Sequence, residues 1–459
     1  MDQSAVMSSH RKPPSMSASM SHELNAQYMV QMDRAAAATR SSLPRLTVTA
    51  APLTAHTSRV LPPQLSPRKP FHAVAPQLQA PGAQWRRGPR DPSGALVPLS
   101  ERPILCGDVD VASGIAVLGG ADHVVYVVDS HTGTQRRMHA GPVSHTEWVV
   151  AVANLGGDTF VTAAMDGRLI LWNAVSRAVH GRRVPAVALT GHFGSVSAVV
   201  SCRFSGNAAA AVLSAGYDKT VRLWTHSAQL AVYQGHSAPV TSLLAPSGPT
   251  DGRAASGDRG GGVKLWDLAS EVSHATLTGH AGHVTSLAWL PASGDSSEVA
   301  PQLLLSGGQD GRLRVWDLRA WSCVANVGVH VSEKGAGAIG DIAVAPPCAL
   351  RPHALIITAG ADGAVVVLDP RAGFEPRHVF ATHRSEFIYS LRLRGGLALS
   401  GDGSGALMCH DIDAGRPLWG IGANEAAVRV TLVTGEDALL VAGDDGKCIT
   451  YDFSDESAQ

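Results

Sequence analysis

The chain has 459 residues, more than one compact core of ordinary size takes, so it needs several domains or a repeat. Only 16% of residues are charged and 5% aromatic, while glycine (48) and proline (27) are abundant, which excludes a coiled coil or a helix-dominated fold. Net charge is −1, so no global field selects nucleic acid or a membrane surface.

The charge is unevenly spread along the chain. Residues 1–98 carry 11 Lys and Arg against 4 Asp and Glu, and the remainder carries 26 against 34. The first segment also holds 13 of the 27 prolines and 6 of the 9 methionines, with too few apolar side chains to offset the entropy of ordering. It is expected to be a disordered basic arm over residues 1–93. One stretch, 21–40, lacks Pro and Gly, and Leu24, Tyr28 and Met32 recur every four residues, predicting a short helix. Ser66-Pro67-Arg68-Lys69 fits a site for proline-directed kinases. No apolar run reaches the roughly 18 residues that span a bilayer. Cys106, Cys202, Cys323, Cys348, Cys409 and Cys448 are scattered without a C-x-x-C pair, which suits reduced thiols rather than a disulfide or zinc framework.

From residue 100 onward a short pattern recurs: small residues, a turn, then alternating apolar positions closing on an aromatic and an acid. It reads GGADHVVYVVD (119–129), AAMDGRLILWN (163–173), AGYDKTVRLWT (215–225), SGDRGGGVKLWD (256–267), GGQDGRLRVWD (307–317), AGADGAVVVLD (359–369), DGSGALMCHD (402–411) and GDDGKCITYD (443–452). The turn residues fall at Asp122, Asp166, Asp218, Gly260, Asp310, Asp362, Ser404 and Asp445, spaced by 41 to 52. A period in the forties marks stacked supersecondary units that cannot bury their faces alone. Asp-Gly at a two-residue turn signals a hairpin, and the flanking alternation signals strands. Upstream lie GHFGSVSAVV (191–200), GHSAPVTSLL (235–244) and GHAGHVTSLAW (279–289).

These motifs resemble the WD40 repeat family over about residues 100–455. The resemblance implies an all-β propeller, eight blades being favoured over seven, behind the basic arm. It also implies a buried structural relay of His, Ser or Thr, turn Asp and third-strand Trp. The sets that fit are His145–Thr162–Asp166–Trp172, His192–Ser214–Asp218–Trp224 and His280–Ser306–Asp310–Trp316. Their recurrence argues against a catalytic triad, since a nucleophile would occur once. Gly260 stands where the fourth unit would have its acid, and units 6, 7, 8 and 1 depart further, so that side of the ring is expected to be looser. The chain ends just after the third strand of the eighth unit, which leaves a strand edge open. Residues 94–99 are the expected donor, giving a propeller over 94–459.

The loops carrying His and turn Asp share one face. Glu147, Trp148, Met165, Phe193, Tyr217, Arg259, His283, Gln309, Glu386 and Phe387 are expected to line it and bind protein, whereas Trp289 reads as core. On the opposite face, Trp316-Asp317-Leu318-Arg319 resembles the box by which WD40 receptors dock onto cullin–RING ligase adaptors, with Asp317 and Arg319 as docking residues. A second, weaker copy carries Asp369 and Arg371. No phosphate loop, metal cluster or nucleophile elbow is legible, so no cofactor, no metal and no enzymatic activity are expected. The leading expectation is a non-catalytic scaffold in the cytoplasm, with cytoskeletal, ciliary or nuclear sites as alternatives. It would organise a multiprotein assembly and touch acidic surfaces such as tubulin through its arm, with no membrane contact and nucleic acid disfavoured. A ubiquitin-ligase substrate receptor is the alternative.

Overall fold

The computed structural model describes residues 81–455 apart from 157, 174, 176–182, 205–206, 249–250, 271, 292–301, 333–334, 349–350 and 385. Among these residues the chain forms eight four-stranded antiparallel sheets, the blades of a propeller. Blades 1 to 7 follow in chain order over 104–138, 149–190, 196–233, 240–277, 284–328, 339–380 and 388–422. Blade 8 takes three strands from 428–452 and its outermost strand, Ala95–Pro98, from the other end of the chain. That strand pairs Ala95 with Thr450 and Pro98 with Lys447. Pro98 is tolerable there because an outermost strand needs no donor on its free side. First strands of successive blades pack together, and blade 8 packs on blade 1, so the ring closes.

Three local rules explain why these residues make blades. The residue after each turn position has positive φ in all eight: His123, Gly167, Lys219, Gly261, Gly311, Gly363, Gly405 and Gly446. Six of the eight are glycine, which pays no steric penalty in that region. The small residues ending the second strands leave room for the next blade. A Cβ on Gly257, Gly307 or Gly401 would meet Val284, Ile339 or Val428 at 2.4 to 2.8 Å. Finally, every first strand carries a register shift after its first residue, as between Val240 and Ser242 or Val284 and Ser286. The bulged residue there reaches sideways. Ser197 Oγ donates to the Val240 carbonyl at 2.6 Å, Thr241 Oγ1 to Val284 at 2.8 Å and Thr285 Oγ1 to Ile339 at 2.6 Å, so blades 3 to 6 are stitched in series.

The expected arm boundary at residue 93 needs correction. Residues 81–93 fold onto blades 7 and 8 through a short helix, Ala83–Arg87. Trp85 is fully buried, stacks on Phe453 with ring centres 4.0 Å apart, and donates its indole N–H to the Glu436 carbonyl at 2.9 Å. Trp419 donates back to the Trp85 carbonyl at 2.8 Å, and Arg86 pairs with Asp411. The expected helix 21–40 and the Ser66-Pro67 site lie outside the described residues.

Trp85 thus locks the closing strand in place from the segment before it. Removing a fully buried Trp costs about 3–5 kcal/mol. Trp85→Ala, and a chain beginning at residue 94, should both melt well below a chain beginning at residue 81 in calorimetry. Equal melting temperatures for the three would contradict this role.

Candidate functional site

The loop face is set by the relays beneath it. In blade 3, His192 Nδ1 lies 2.9 Å from Asp218, His192 Nε2 2.7 Å from Ser214 Oγ, and Trp224 donates to the same hydroxyl at 2.8 Å. Blade 2 repeats this with His145, Asp166 (3.3 Å), Thr162 (2.8 Å) and Trp172 (2.8 Å). Blade 5 does so with His280, Asp310 (3.0 Å), Ser306 (2.8 Å) and Trp316 (2.8 Å). In each set the carboxylate also accepts backbone N–H groups, from Phe193 to Asp218 and from Ala281 to Asp310, and so fixes the loop that leads into the blade.

Blades 4 and 7 correct the reading of Gly260 and Ser404 as losses of the acid. The carboxylate has moved two residues back, to the end of the second strand. Asp258 lies 2.8 Å from His236, whose other nitrogen is 2.7 Å from Ser256, with Trp266 completing the set at 2.7 Å. Asp402 likewise takes His383 at 2.8 Å, and His383 reaches Ser400 at 2.7 Å. The turn survives because Asp258 and Asp402 accept the N–H groups of Gly260 and Gly262, and of Ser404 and Ala406. Blade 6 joins His330, Asp362 and Thr358 at 2.8 Å each, with Leu368 in place of Trp. Only blades 8 and 1 depart fully. Asn424 donates to Asp445 at 2.8 Å, and Ser100 to Asp122 at 2.8 Å. Units 6 and 7 therefore keep the His–Asp and His–hydroxyl pairs and lack only the Trp donor, replaced by Leu368 and His410.

On the loop face of blades 2 to 5, above the relays, two sets of side chains meet, Phe193 with Arg222, and Tyr217 with Arg259 and His283. Met165, Phe193 and Tyr217 are exposed, Phe193 to 93%. Arg222, itself buried, sits 5.7 Å from the Phe193 ring centre, and Arg259 5.9 Å from that of Tyr217. Arg259 Nε donates to His283 Nε2 at 3.1 Å, and Gln309 accepts from His283 N at 3.5 Å. Burial, then the neighbouring Arg259, hold His283 below the usual histidine range, so its ring accepts. Of the remaining expected face residues, Trp148 adjoins Met165, whose N–H donates to its carbonyl at 3.0 Å. Glu147 and Glu386 are exposed, and Trp148 and Phe387 half-buried; Phe387 packs on Tyr389 at 4.6 Å, over which Arg429 lies at 4.0 Å. Sequence reading missed Arg222, although its place two residues before Trp224 matches Lys264 and Arg314 in the next blades. Trp289, expected as core, is half-buried and donates to the Ala245 carbonyl at 2.7 Å.

On the opposite face Arg319 is held by Asp317 in a two-pronged pair, at 2.7 and 3.1 Å. Its side chain is 64% exposed. Asp369 caps the turn at Arg371 N (2.9 Å) and pairs with His353 at 3.1 Å, leaving Arg371 exposed. Two of the carboxyls raised by burial, Asp108 and Asp341, lie on the first strands of blades 1 and 6. Asp108 accepts from Asn154 N at 2.8 Å, and Asp341 from Ser286 Oγ at 3.1 Å. Among the described residues no three His, Cys, Asp or Glu are grouped for a metal ion, and no helix is long and apolar enough to cross a membrane.

Burial pushes the Asp166 carboxyl up, but its pairing with His145 and two backbone N–H groups outweighs that and holds it at about 2. His410, in the third strand of blade 7, behaves as the reverse of a stabilised cation. Burial, then the nearby His383, lower it to about 4. The unfolded histidine takes its proton near 6.5, so the contribution is complete above that pH and is lost as pH falls toward 4. From this residue the loss between pH 7 and pH 5 is about 2 kcal/mol. His410→Leu, which copies Leu368 of blade 6, should flatten that part of the melting-temperature profile. An unchanged slope would contradict the assignment.

Comparison with known proteins agrees with this geometry. The model of the WD domain, G-beta repeat, matches residues 183–225, 227–267 and 271–317, which run from the outermost strand of blade 2 to the third strand of blade 5. The chain is 27% identical over 267 residues to the ribosome biogenesis protein YTM1 of Coccidioides immitis, covering 51% of this chain and 53% of that one. It is 27% identical over 196 residues to a guanine nucleotide-binding protein subunit beta of Oryza sativa subsp. japonica (40% and 48%), and 25% over 227 to the mouse telomerase protein component 1 (48% and 8%). It thus spans about half or less of the length of these relatives. In structure it resembles Sqt1 of Chaetomium thermophilum, crystallised with the N-terminus of ribosomal protein L10, at a TM-score of 0.65 and 16% identity over 78% of this chain and 99% of that one. With three matched repeats and eight blades in one closed ring, the chain is a WD40-repeat β-propeller.

Proposed function

We propose that this propeller is a non-catalytic scaffold that holds an extended, acidic protein segment across the loop face of blades 2 to 5. The observation that carries the reading is the group Met165, Phe193, Tyr217, Arg222, Arg259 and His283, in which two exposed aromatics each meet a guanidinium. Aromatic and arginine side chains at the centre of a patch are the usual anchors of protein interfaces. Charge supports an acidic occupant. Arg168, Lys219, Arg222, Arg259, Lys264, Arg312 and Arg314 stand in or beside these turns. The carboxylates there, Asp166, Asp218, Asp258 and Asp310, are each engaged by a relay histidine. Sqt1, a propeller of the same fold, has been crystallised with the N-terminus of a ribosomal protein.

The basic residues 1–80, with eight Lys and Arg against three acids, would add a second contact. An acidic filament surface such as tubulin, in a cytoplasmic or ciliary assembly, is the partner class we propose for them. The ligase-adaptor reading is not favoured, since Arg319 is already engaged by Asp317.

The test is quantitative co-purification with the full chain, its Phe193→Ala/Arg259→Glu variant, and a chain beginning at residue 81. Proteins held by the face should fall at least tenfold with the double variant while its melting temperature is unchanged. Those held by the arm should be lost from the shortened chain and at raised salt. An identical set of proteins from all three would overturn the reading.

A further inference from the structure

Between the blade 4 turn and the loop entering blade 5 lies a cleft of about 200 Å³. Gly235, Gly260, Gly261, Gly262 and Gly279 contribute bare backbone to its walls, Ser237, Thr276 and Thr278 contribute hydroxyls, and Lys264 contributes an ammonium. Lys264 is nine-tenths buried. Its Nζ donates to Thr276 Oγ1 at 2.5 Å and lies 5.8 Å from the Trp266 ring centre. It forms no ion pair among the described residues. An ammonium has three donors, and burying it without a counter-charge is costly.

The neighbouring blades show what is unusual here. At the same strand position, Arg222 is satisfied by Gln229 (2.6 Å), Thr220 (3.1 Å) and Asp218 (3.5 Å). Arg314, like Lys264, has one neutral acceptor, the Gly279 carbonyl at 2.7 Å, but it is only half-buried. Gly235, at φ 136°, keeps the ammonium uncovered, since a Cβ there would stand 3.3 Å from Nζ. Asp258, the one carboxylate in the wall, is taken up by His236 Nδ1 and by the N–H groups of Gly260 and Gly262.

We infer that this cleft receives a carboxylate, the Glu or Asp side chain of the protein segment held on the adjoining face, with Lys264 Nζ as its counter-charge and Ser237 and Thr278 as further donors. The charge count selects the occupant. One ammonium beside a wall that already contains Asp258 matches a single negative charge better than the near-double charge of a phosphate. The inference rests on the scaffold reading above and gives it a specificity: an acidic residue at one fixed place along the bound segment.

The experiment uses the full chain and two labelled probes, a tetraglutamate peptide and a peptide of the same length containing phosphoserine, with binding read by fluorescence anisotropy. Lys264→Met, which keeps the length and the packing on Trp266, should weaken tetraglutamate binding at least tenfold at an unchanged melting temperature. Lys264→Arg should stay within about threefold of the parent. If Lys264→Met binds like the parent while Phe193→Ala is weakened, the cleft assignment falls and the scaffold reading stands. If neither substitution matters, both fall. Tenfold tighter, Lys264-dependent binding of the phosphoserine peptide would overturn the choice of carboxylate. Should Lys264→Met melt early, Ser237→Val, at an exposed wall position, carries the test, with several-fold weaker binding expected and no change overturning the inference.

Discussion

A buried imidazole with a hydrogen bond on each side organises this molecule. In blades 2 to 7 one ring nitrogen meets an Asp and the other a Ser or Thr hydroxyl, and the same Asp collects backbone N–H groups from its own turn. One side chain thereby ties together a loop, a turn and the middle of a sheet. Leaving any member unpaired exposes the others to a desolvation cost of about 1–3 kcal/mol each, so the loops above have little freedom. The exposed group on blades 2 to 5 inherits its order from that layer. Phe193 and Ala281 follow their relay histidines directly, and their N–H groups are held by the relay acids.

The repeat was legible because each unit has to solve the same problem. A turn needs positive φ, a second strand needs small residues where the next blade's branched side chain arrives, and the third strand needs alternation. Gly307 beside Ile339 and Gly401 beside Val428 show that the small residues reflect contact between blades. The relay acids of blades 4 and 7 were not legible by counting back from the strand end. Turn conformation and acid position are separable: Gly260-Gly261 and Ser404-Gly405 keep the turn, while Asp258 and Asp402 approach the histidine from the preceding strand. Nor did His330 stand out, because Val-His-Val lacks the Gly-His signature of the loops entering blades 3, 4 and 5.

Trp85 was hidden for a different reason. Its surroundings in sequence, Pro81-Gly82 and Gly88-Pro89, have the composition of the arm, and a single Trp carries no periodicity. Its partners Phe453, Trp419 and Glu436 are more than 330 residues away. The Lys264 cleft is of the same kind. The pattern Val-Lys-Leu-Trp looks like its neighbours, and residues outside it, Asp218, Thr220 and Gln229 around Arg222 against Gly260, Gly262 and Thr276 around Lys264, decide which cation is satisfied.

The central claim is that the loop face of blades 2 to 5 is where this scaffold holds its partner. Hydrogen–deuterium exchange on the full chain, alone and with a co-purified partner, tests it directly. The account predicts slowed exchange at 191–195, 217–220, 259–262 and 278–283, with blades 7, 8 and 1 unchanged. Protection confined to the loops of blades 7 and 8, or to the face that carries Arg319, would contradict it.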